Sequence, residues 1–204
     1  MDWSKASAEL ARKLDPSHIR PPSKFGPKGD YLEGWFCIAE ANRIFGFDGW
    51  SYTLVDCRCV SERDRPIGRE AKPGFGVTYT ATVRVVVDGV TREDVGAGHG
   101  YDVDCGLAHE SAIKEAVTDS LKRSLRTFGN PFGLALYDKS RADVGVDASP
   151  SELTEAVSII AAAPDVDAMT AAWQRMPEPV RKAPSVIEAA KARKAQLTQQ
   201  KEAA

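Results

Sequence analysis

Residues 110–133, ESAIKEAVTDSLKRSLRTFGNPFG, predict one long helix with a defined end. At about 100° per residue, one sector of this helix holds a single continuous set of mainly apolar side chains. The set is Ile113, Val117, Leu121, Ser124, Leu125 and Phe128. Gly129 follows the last of them, and Pro131 cannot continue a helix. The pattern therefore predicts a helix that packs one side against a core and ends near Gly129.

The opposite sector of this helix carries three cations, Lys122, Arg123 and Arg126. Glu115 and Asp119 share that sector, so periodicity alone favours a solvated face with ion pairs inside the helix. The alternative is a surface that binds a polyanion. Periodicity leaves both readings open.

Three segments with strand periodicity precede the helix. Residues 75–87 alternate apolar and polar side chains, Asp88-Gly89 is a favoured two-residue hairpin turn, and residues 90–95 return. Residues 50–55 supply a first strand. We expect an antiparallel three-stranded meander covered by the long basic helix, preceded by N-terminal helices at residues 2–14 and 31–45. The fold class is α+β.

Two segments near the strands are interpreted as loops. Residues 61–74 are rich in charge, and residues 96–106, GAGHGYDVDCG, are rich in glycine, which permits positive φ or a close approach of the backbone. The second loop and its flank contain carboxylates and a histidine, which permit a metal-dependent nuclease as a minor alternative. These side chains are Glu93, Asp94, His99, Asp102 and Asp104.

Composition excludes several classes of protein. A formal net charge of −2 and a pI near 6.0 exclude a protein that coats nucleic acid through its overall charge, so a nucleic-acid site has to be a local groove. No apolar run approaches the roughly 20 residues of a membrane span, and the N-terminus lacks a signal sequence. We therefore expect a cytoplasmic protein.

The cysteines predict reduced thiols rather than disulfides or a metal site. Cys57 and Cys59 form a C-x-C pair, but no second pair lies at zinc spacing. No G-x-x-x-x-G-K loop occurs either, so we expect no nucleotide and no other cofactor.

The C-terminal part changes composition toward alanine. Residues 144–148 predict a linker between a core domain, residues 1–143, and a small helical appendage, residues 149–204. Ser149 and Glu152 form a capping box with Pro150 at the first helical position, which predicts a helix start there. The basic side chains of the last helix are interpreted as a solvated face, or as a docking surface for a single-strand-binding protein or a recombinase.

Residues 114–133, KEAVTDSLKRSLRTFGNPFG, resemble the signature helix of the Rad-fifty-two family of single-strand annealing recombination proteins. The resemblance continues through YLEGWFCIAEANRIFGFDGW at residues 31–50, VRV at 83–85 and EDVGAGHG at 93–100. The four blocks stand in the family's order and at about its spacing, and they cover roughly residues 14–141.

The resemblance implies a protomer of a ring or helical filament that holds single-stranded DNA in a basic groove. By position, Lys122, Arg123 and Arg126 match the family's inner-groove residues. It further implies annealing of complementary strands in recombination and double-strand break repair, with no catalytic residues and no ATP.

Some positions depart from the family pattern. Phe36 stands where an arginine is expected, so Arg43 on the same helix is the candidate replacement, and Phe47 replaces the tyrosine of the following turn. The hairpin at Asp88 is one residue shorter and lacks the expected lysine, which leaves Arg84 and Arg92 as substitutes by location for a second, outer DNA site.

The sequence therefore predicts an annealing protein rather than an enzyme, in a short phage or bacterial version acting in the bacterial cytoplasm or nucleoid. The rival hypothesis from another class is an oligomeric adaptor protein that keeps the fold without annealing.

Overall fold

The computed structural model describes residues 1–22 and 28–202, with side chains described to residue 199. Residues 23–27, between the helices predicted at residues 2–14 and 31–45, lie outside the described residues. The chain forms two compact units, residues 1–145 and residues 146–204. Within the described residues, no helix is both long enough and apolar enough to span a bilayer.

The N-terminal unit combines three helices with one antiparallel sheet of order β1-β2-β3. The elements are α1 (Trp3–Leu10), α2 (Gly34–Phe45), β1 (Trp50–Ile67), β2 (Lys72–Val87), β3 (Val90–Asp102) and α3 (Cys105–Arg126). Short 3-10 turns follow α1 and α3. The predicted α+β meander covered by a long helix is confirmed, and Asp88 and Gly89 form its tight turn with φ of 45° and 82°.

The prediction of a charged loop at residues 61–74 is wrong. β1 and β2 stay paired from Trp50 and Val87 as far as Ile67 and Lys72, so most of that segment is a hairpin. Its side chains are largely exposed, and β1 is an edge strand, where charged residues are tolerated because they need no burial. Charge content is therefore a poor indicator of a loop at this position.

The glycine-rich segment is also strand rather than loop, since β3 continues to Asp102. Gly96, Gly98 and Gly100 alternate along one face and lie against the backbone of α3. A Cβ added at Gly98 would lie 2.1 Å from the carbonyl oxygen of Ala112, so only glycine allows this approach. Of the two roles that glycine permits there, close approach is the one the fold uses.

The helix α3 begins at Cys105, five residues before the predicted segment, with the Asp104 carboxylate capping the Leu107 N–H. Its fully buried stripe runs at intervals of four residues and is made of small side chains. It consists of Ala108, Ala112, Ala116, Ser120 and Ser124, joined by Leu121 and Leu125. Small residues let the helix lie close to the sheet, and this shifts its packed face away from Ile113 and Val117, which are only half-buried.

Two buried serines tie α3 to the sheet. The Ser120 hydroxyl accepts from the Val83 N–H at 2.8 Å and donates to the Asp94 carbonyl at 2.8 Å. Ser124 donates to the Val83 carbonyl at 2.9 Å. Since both serines are fully buried, these bonds satisfy backbone groups that water does not reach.

We expect Ser120→Ala to lower the free energy of unfolding by about 1–3 kcal/mol, because the Val83 N–H would remain buried without an acceptor. Ser111→Ala is the matched control, since Ser111 is exposed on the same helix. Chemical denaturation at one fixed protein concentration measures both. Equal stability of the two variants would contradict this role of Ser120.

The main core lies where α2, α3 and the hairpin end of β2 meet. Phe45 contacts Phe128 and Phe132, with ring centroids 5.4 Å and 5.7 Å away. The helices α1 and α2 are shorter than predicted, since α1 ends at Leu10 and α2 begins at Gly34. Tyr31, shortly before α2, makes an antiparallel backbone bridge with Arg20 instead.

The described residues of the C-terminal unit form four helices. They are α4 (Pro150–Ala162), α5 (Val166–Arg175), α6 (Glu178–Arg181) and α7 (Pro184–Glu202). The capping box at Ser149 and Glu152 is present, and a small core forms around Ile160, Met169 and Val186.

Candidate nucleic-acid interface

The three predicted cations of α3 lie together along one cleft of the N-terminal unit. Its opposite wall is formed by the segment before α2 and by the segment after α3. The lining includes Tyr31, Leu32, Lys122, Arg123, Arg126, Tyr137 and Arg141. The basic face of the helix is thus one wall of a cleft, which a simple solvated face does not require.

Two of these arginines share one carboxylate. Arg123 Nε lies 3.2 Å from Asp94 Oδ1, and Arg126 Nη2 lies 3.4 Å from Asp94 Oδ2. Asp94 therefore fixes the direction of both guanidinium groups while neutralising part of their charge. The Arg123 side chain is 41% exposed, so it has N–H groups left for an anion.

Aromatic rings accompany the cations. Arg126 lies over the Tyr137 ring at 4.3 Å and bonds the Tyr137 hydroxyl. Lys122 Nζ lies 5.8 Å from the centre of the Tyr31 ring and bonds the Leu32 carbonyl at 3.4 Å. The Tyr137 ring is exposed and the Tyr31 ring is half-buried. Cations beside accessible rings are the combination that binds a single strand through phosphate contacts and stacking.

Sequence reasoning missed Arg141, Tyr31 and Tyr137. Arg141 is a further cation of the cleft and pairs with Asp30 at 2.8 Å. No periodic pattern connects these residues to α3, because they reach the cleft from irregular segments on either side of the core. Among the described residues, the lining holds four cations against the carboxylates Asp30 and Asp119, and Asp94 pairs with two of the arginines. Four cations against three carboxylates leave a net positive cleft in a net acidic chain.

The floor of the cleft is apolar and chemically inert. Cys37 is fully buried there, and burial raises the pKa of its thiol to about 11, although nearby Lys122 acts in the opposite direction. The thiol therefore stays protonated at neutral pH, so it supplies no nucleophile to this site.

Arg43 lies apart from this cleft. It faces a different depression beside Arg12 and His18, and it pairs with Glu40 at 2.9 Å and with Glu9. Hydrogen bonds to Glu40 first, and then to Glu9, hold the pKa of its guanidinium above the usual value. Arg43 is thus committed to two carboxylates of the protein, and its predicted DNA contact has no support from this arrangement.

The remaining predicted DNA contacts are dispersed. Phe47 is 87% exposed in the turn between α2 and β1. Arg84 pairs across strands with Glu93 at 2.7 Å, whereas Arg92 pairs in register with buried Val85 and lies over the Phe128 ring. Adjacent register positions point to opposite faces of a sheet, so Arg84 and Arg92 do not form one outer site.

The carboxylates considered for a nuclease site have separate structural roles. Glu93 pairs with Arg84, Asp94 holds Arg123 and Arg126, and Asp104 caps α3. In the described part of the chain they form no cluster of three metal-ligating groups. This arrangement gives the nuclease alternative no support.

Comparison with known proteins matches residues 2–152 to the family described as Rad52/22 family double-strand break repair protein. The chain is similar to the DNA repair and recombination protein RAD52 of Kluyveromyces lactis, with 46% identity over 134 residues. That match covers 64% of this chain and 29% of the relative.

Two further yeasts give similar matches. The DNA repair and recombination protein RAD52 of Saccharomyces cerevisiae is 43% identical over 134 residues, covering 64% of this chain and 27% of the relative. The DNA repair and recombination protein rti1 of Schizosaccharomyces pombe is 42% identical over 142 residues, covering 66% of this chain and 36% of the relative. The matched region is thus only about a third of the length of these relatives.

Proposed function

Since the chain belongs to the Rad52/22 family of double-strand break repair proteins, we propose that it binds single-stranded DNA and anneals complementary strands without ATP. One observation carries this proposal: Lys122, Arg123 and Arg126 line a net positive cleft on α3 beside the half-buried ring of Tyr31 and the exposed ring of Tyr137. A backbone-binding cleft of this kind needs no sequence recognition, because base pairing between the strands supplies the specificity.

The proposed mechanism is electrostatic and contains no covalent step. The lysine and arginine side chains displace the cations that are condensed along the DNA phosphates, and the release of these counterions drives sequence-independent binding. Asp94 keeps Arg123 and Arg126 aimed along the cleft before the strand arrives, which lowers the ordering cost of binding. A strand held by its phosphates keeps its base edges available for a complement.

The proposal includes a homo-oligomer, either a ring or a helical filament, in which clefts of successive protomers form one track. Exposed apolar side chains on and next to α2 support it, since Trp35 is 61% and Phe47 87% exposed. The long edge strand β1 also carries exposed Tyr52 and Leu54. A surface of this kind suits a head-to-tail interface between copies of the chain.

The C-terminal unit is proposed to dock a further recombination protein, such as a single-strand-binding protein or a recombinase. Action in the bacterial cytoplasm or nucleoid, in a phage or bacterial protein, likewise remains a prediction from the sequence. The relatives reported above are yeast proteins.

The rate at which two complementary fluorescent oligonucleotides pair, measured in EDTA and without ATP, tests this function. We expect the protein to accelerate pairing and to form a discrete oligomer by analytical ultracentrifugation. An oligomer that neither binds single strands nor accelerates pairing would instead support the adaptor hypothesis. Activity that needs a divalent metal and cuts the strands would support the nuclease hypothesis.

A further inference from the structure

A β-bulge in β1 brings two potential metal ligands onto one face of the sheet. The register shifts between Cys59 and Ser61, so that Cys59 pairs with Tyr79 and Glu62 with Val77. Tyr79 and Val77 both point toward α3. In a regular strand, residues three apart point to opposite faces, so the bulge is what puts Cys59 and Glu62 on the same side.

The helix α3 supplies a third ligand over the same patch. His109 lies in its first turns, and His109 Nε2 is 3.4 Å from Glu62 Oε2. The ligand atoms of Cys59, Glu62 and His109 all lie within 4.8 Å of one another. Adjacent ligands of a tetrahedral zinc ion are roughly 3.3–3.8 Å apart for zinc bonds of about 2.0–2.3 Å, so closing this set needs only small side-chain movements.

The second ring nitrogen of His109 is already held. His109 Nδ1 and the Tyr79 hydroxyl are 3.0 Å apart, and the two rings meet edge to face. Metal-binding histidines usually have their other nitrogen fixed by such a partner, which sets the ring orientation and leaves one nitrogen for the ion. Here the nitrogen left over is Nε2, the one that faces Glu62.

We propose that Cys59, Glu62 and His109 bind one zinc-type divalent cation that clips β1 to the start of α3. One thiolate, one imidazole and one carboxylate make a mixed set that suits Zn²⁺ better than the hard cations Mg²⁺ and Ca²⁺, which prefer oxygen ligands. The alternative is a simple ion pair between Glu62 and His109, with the Cys59 thiol donating to the Ser61 carbonyl at 3.5 Å. Metal binding would replace that weak hydrogen bond with a thiolate–metal bond.

The sequence did not predict this site because Cys57 and Cys59 lack a second pair at zinc spacing. Its ligands are instead 50 residues apart along the chain, from Cys59 to His109, and only the bulge and the helix position bring them together. The site lies outside the cleft that holds Lys122, Arg123 and Arg126.

Cobalt titration of the metal-free, full-length protein tests the proposal, because a thiolate ligand gives Co²⁺ a near-ultraviolet charge-transfer band. We expect one Co²⁺ per chain, displaced by Zn²⁺, and a Zn²⁺-dependent rise in the melting temperature. Cys59→Ser should abolish the band, and His109→Gln should weaken binding by about tenfold or more. His99→Gln is the matched control and should bind as the wild type does.

Circular dichroism of each metal-free variant shows whether it is folded. Cys59 is exposed, so its loss should not disturb the core. A wild-type protein that gives no charge-transfer band, or a Cys59→Ser variant that keeps it, would overturn the proposal. Equal loss of binding in His99→Gln would do so too.

Discussion

The double variant Arg123→Ala, Arg126→Ala is expected to anneal complementary strands at a rate lower than that of the wild type by about tenfold or more. Each protomer loses two cations from the cleft, and Asp94 remains without the partners that now neutralise it. The unpaired carboxylate then repels phosphates, so the loss exceeds that of two independent contacts. Annealing of fluorescent oligonucleotides of several sequences should show the same relative loss for each.

Two further variants make this result specific. Lys114→Ala removes a cation from the same helix, but Lys114 is 72% exposed and pairs with Glu110 away from the cleft, so annealing should be unchanged. Adding Asp94→Asn to the double variant should restore part of the binding, because it removes the unpaired charge. If Lys114→Ala loses as much activity as the double variant, the cleft is not the binding site.

Gly98→Ala is expected to lower stability more than Ser120→Ala. The new methyl group would lie 2.1 Å from the Ala112 carbonyl oxygen and 2.3 Å from the Ala116 nitrogen, which are backbone atoms of α3. The helix has to move off the sheet to make room, and we expect a loss of about 3 kcal/mol in the free energy of unfolding. Denaturant unfolding at fixed protein concentration measures it.

Ala97→Val is the control for Gly98→Ala. Ala97 is the neighbouring residue of β3, but its side chain is exposed on the opposite face. The larger side chain therefore meets solvent, and stability should change by less than about 0.5 kcal/mol. Similar losses in both variants would mean that strand propensity, rather than contact with α3, governs this position.

The meander, the turn at Asp88-Gly89 and the α3 helix were predictable because each has a strong local signal. The two predicted loops were wrong for physical reasons. Charged residues at 61–67 pair in an exposed edge strand, where nothing penalises them, and the glycines of β3 are set by contact with a helix that follows them in the chain. In both segments the tertiary packing determines the secondary structure, and a local sequence pattern carries no information about that packing.

Only the residues on the α3 wall of the candidate cleft were predictable from the sequence. Helical periodicity together with family resemblance identified Lys122, Arg123 and Arg126. Arg141 was not identified, because it reaches the cleft from an irregular segment after α3. Arg43 has a suitable charge and position in the sequence, yet its guanidinium group forms ion pairs with Glu40 and Glu9. Whether a cation has a partner within the protein depends on side chains that sequence spacing does not reveal.

The most direct test of the central claim is the salt dependence of single-strand affinity for the wild type and for the variant with Lys122, Arg123 and Arg126 all changed to alanine. For single strands, the slope of log K against log salt is about −0.7 per phosphate neutralised. We expect the variant's slope to be shallower by about 2 for each protomer engaged, at every sequence tested. An unchanged slope in a folded, oligomeric variant would contradict the placement of DNA in this cleft.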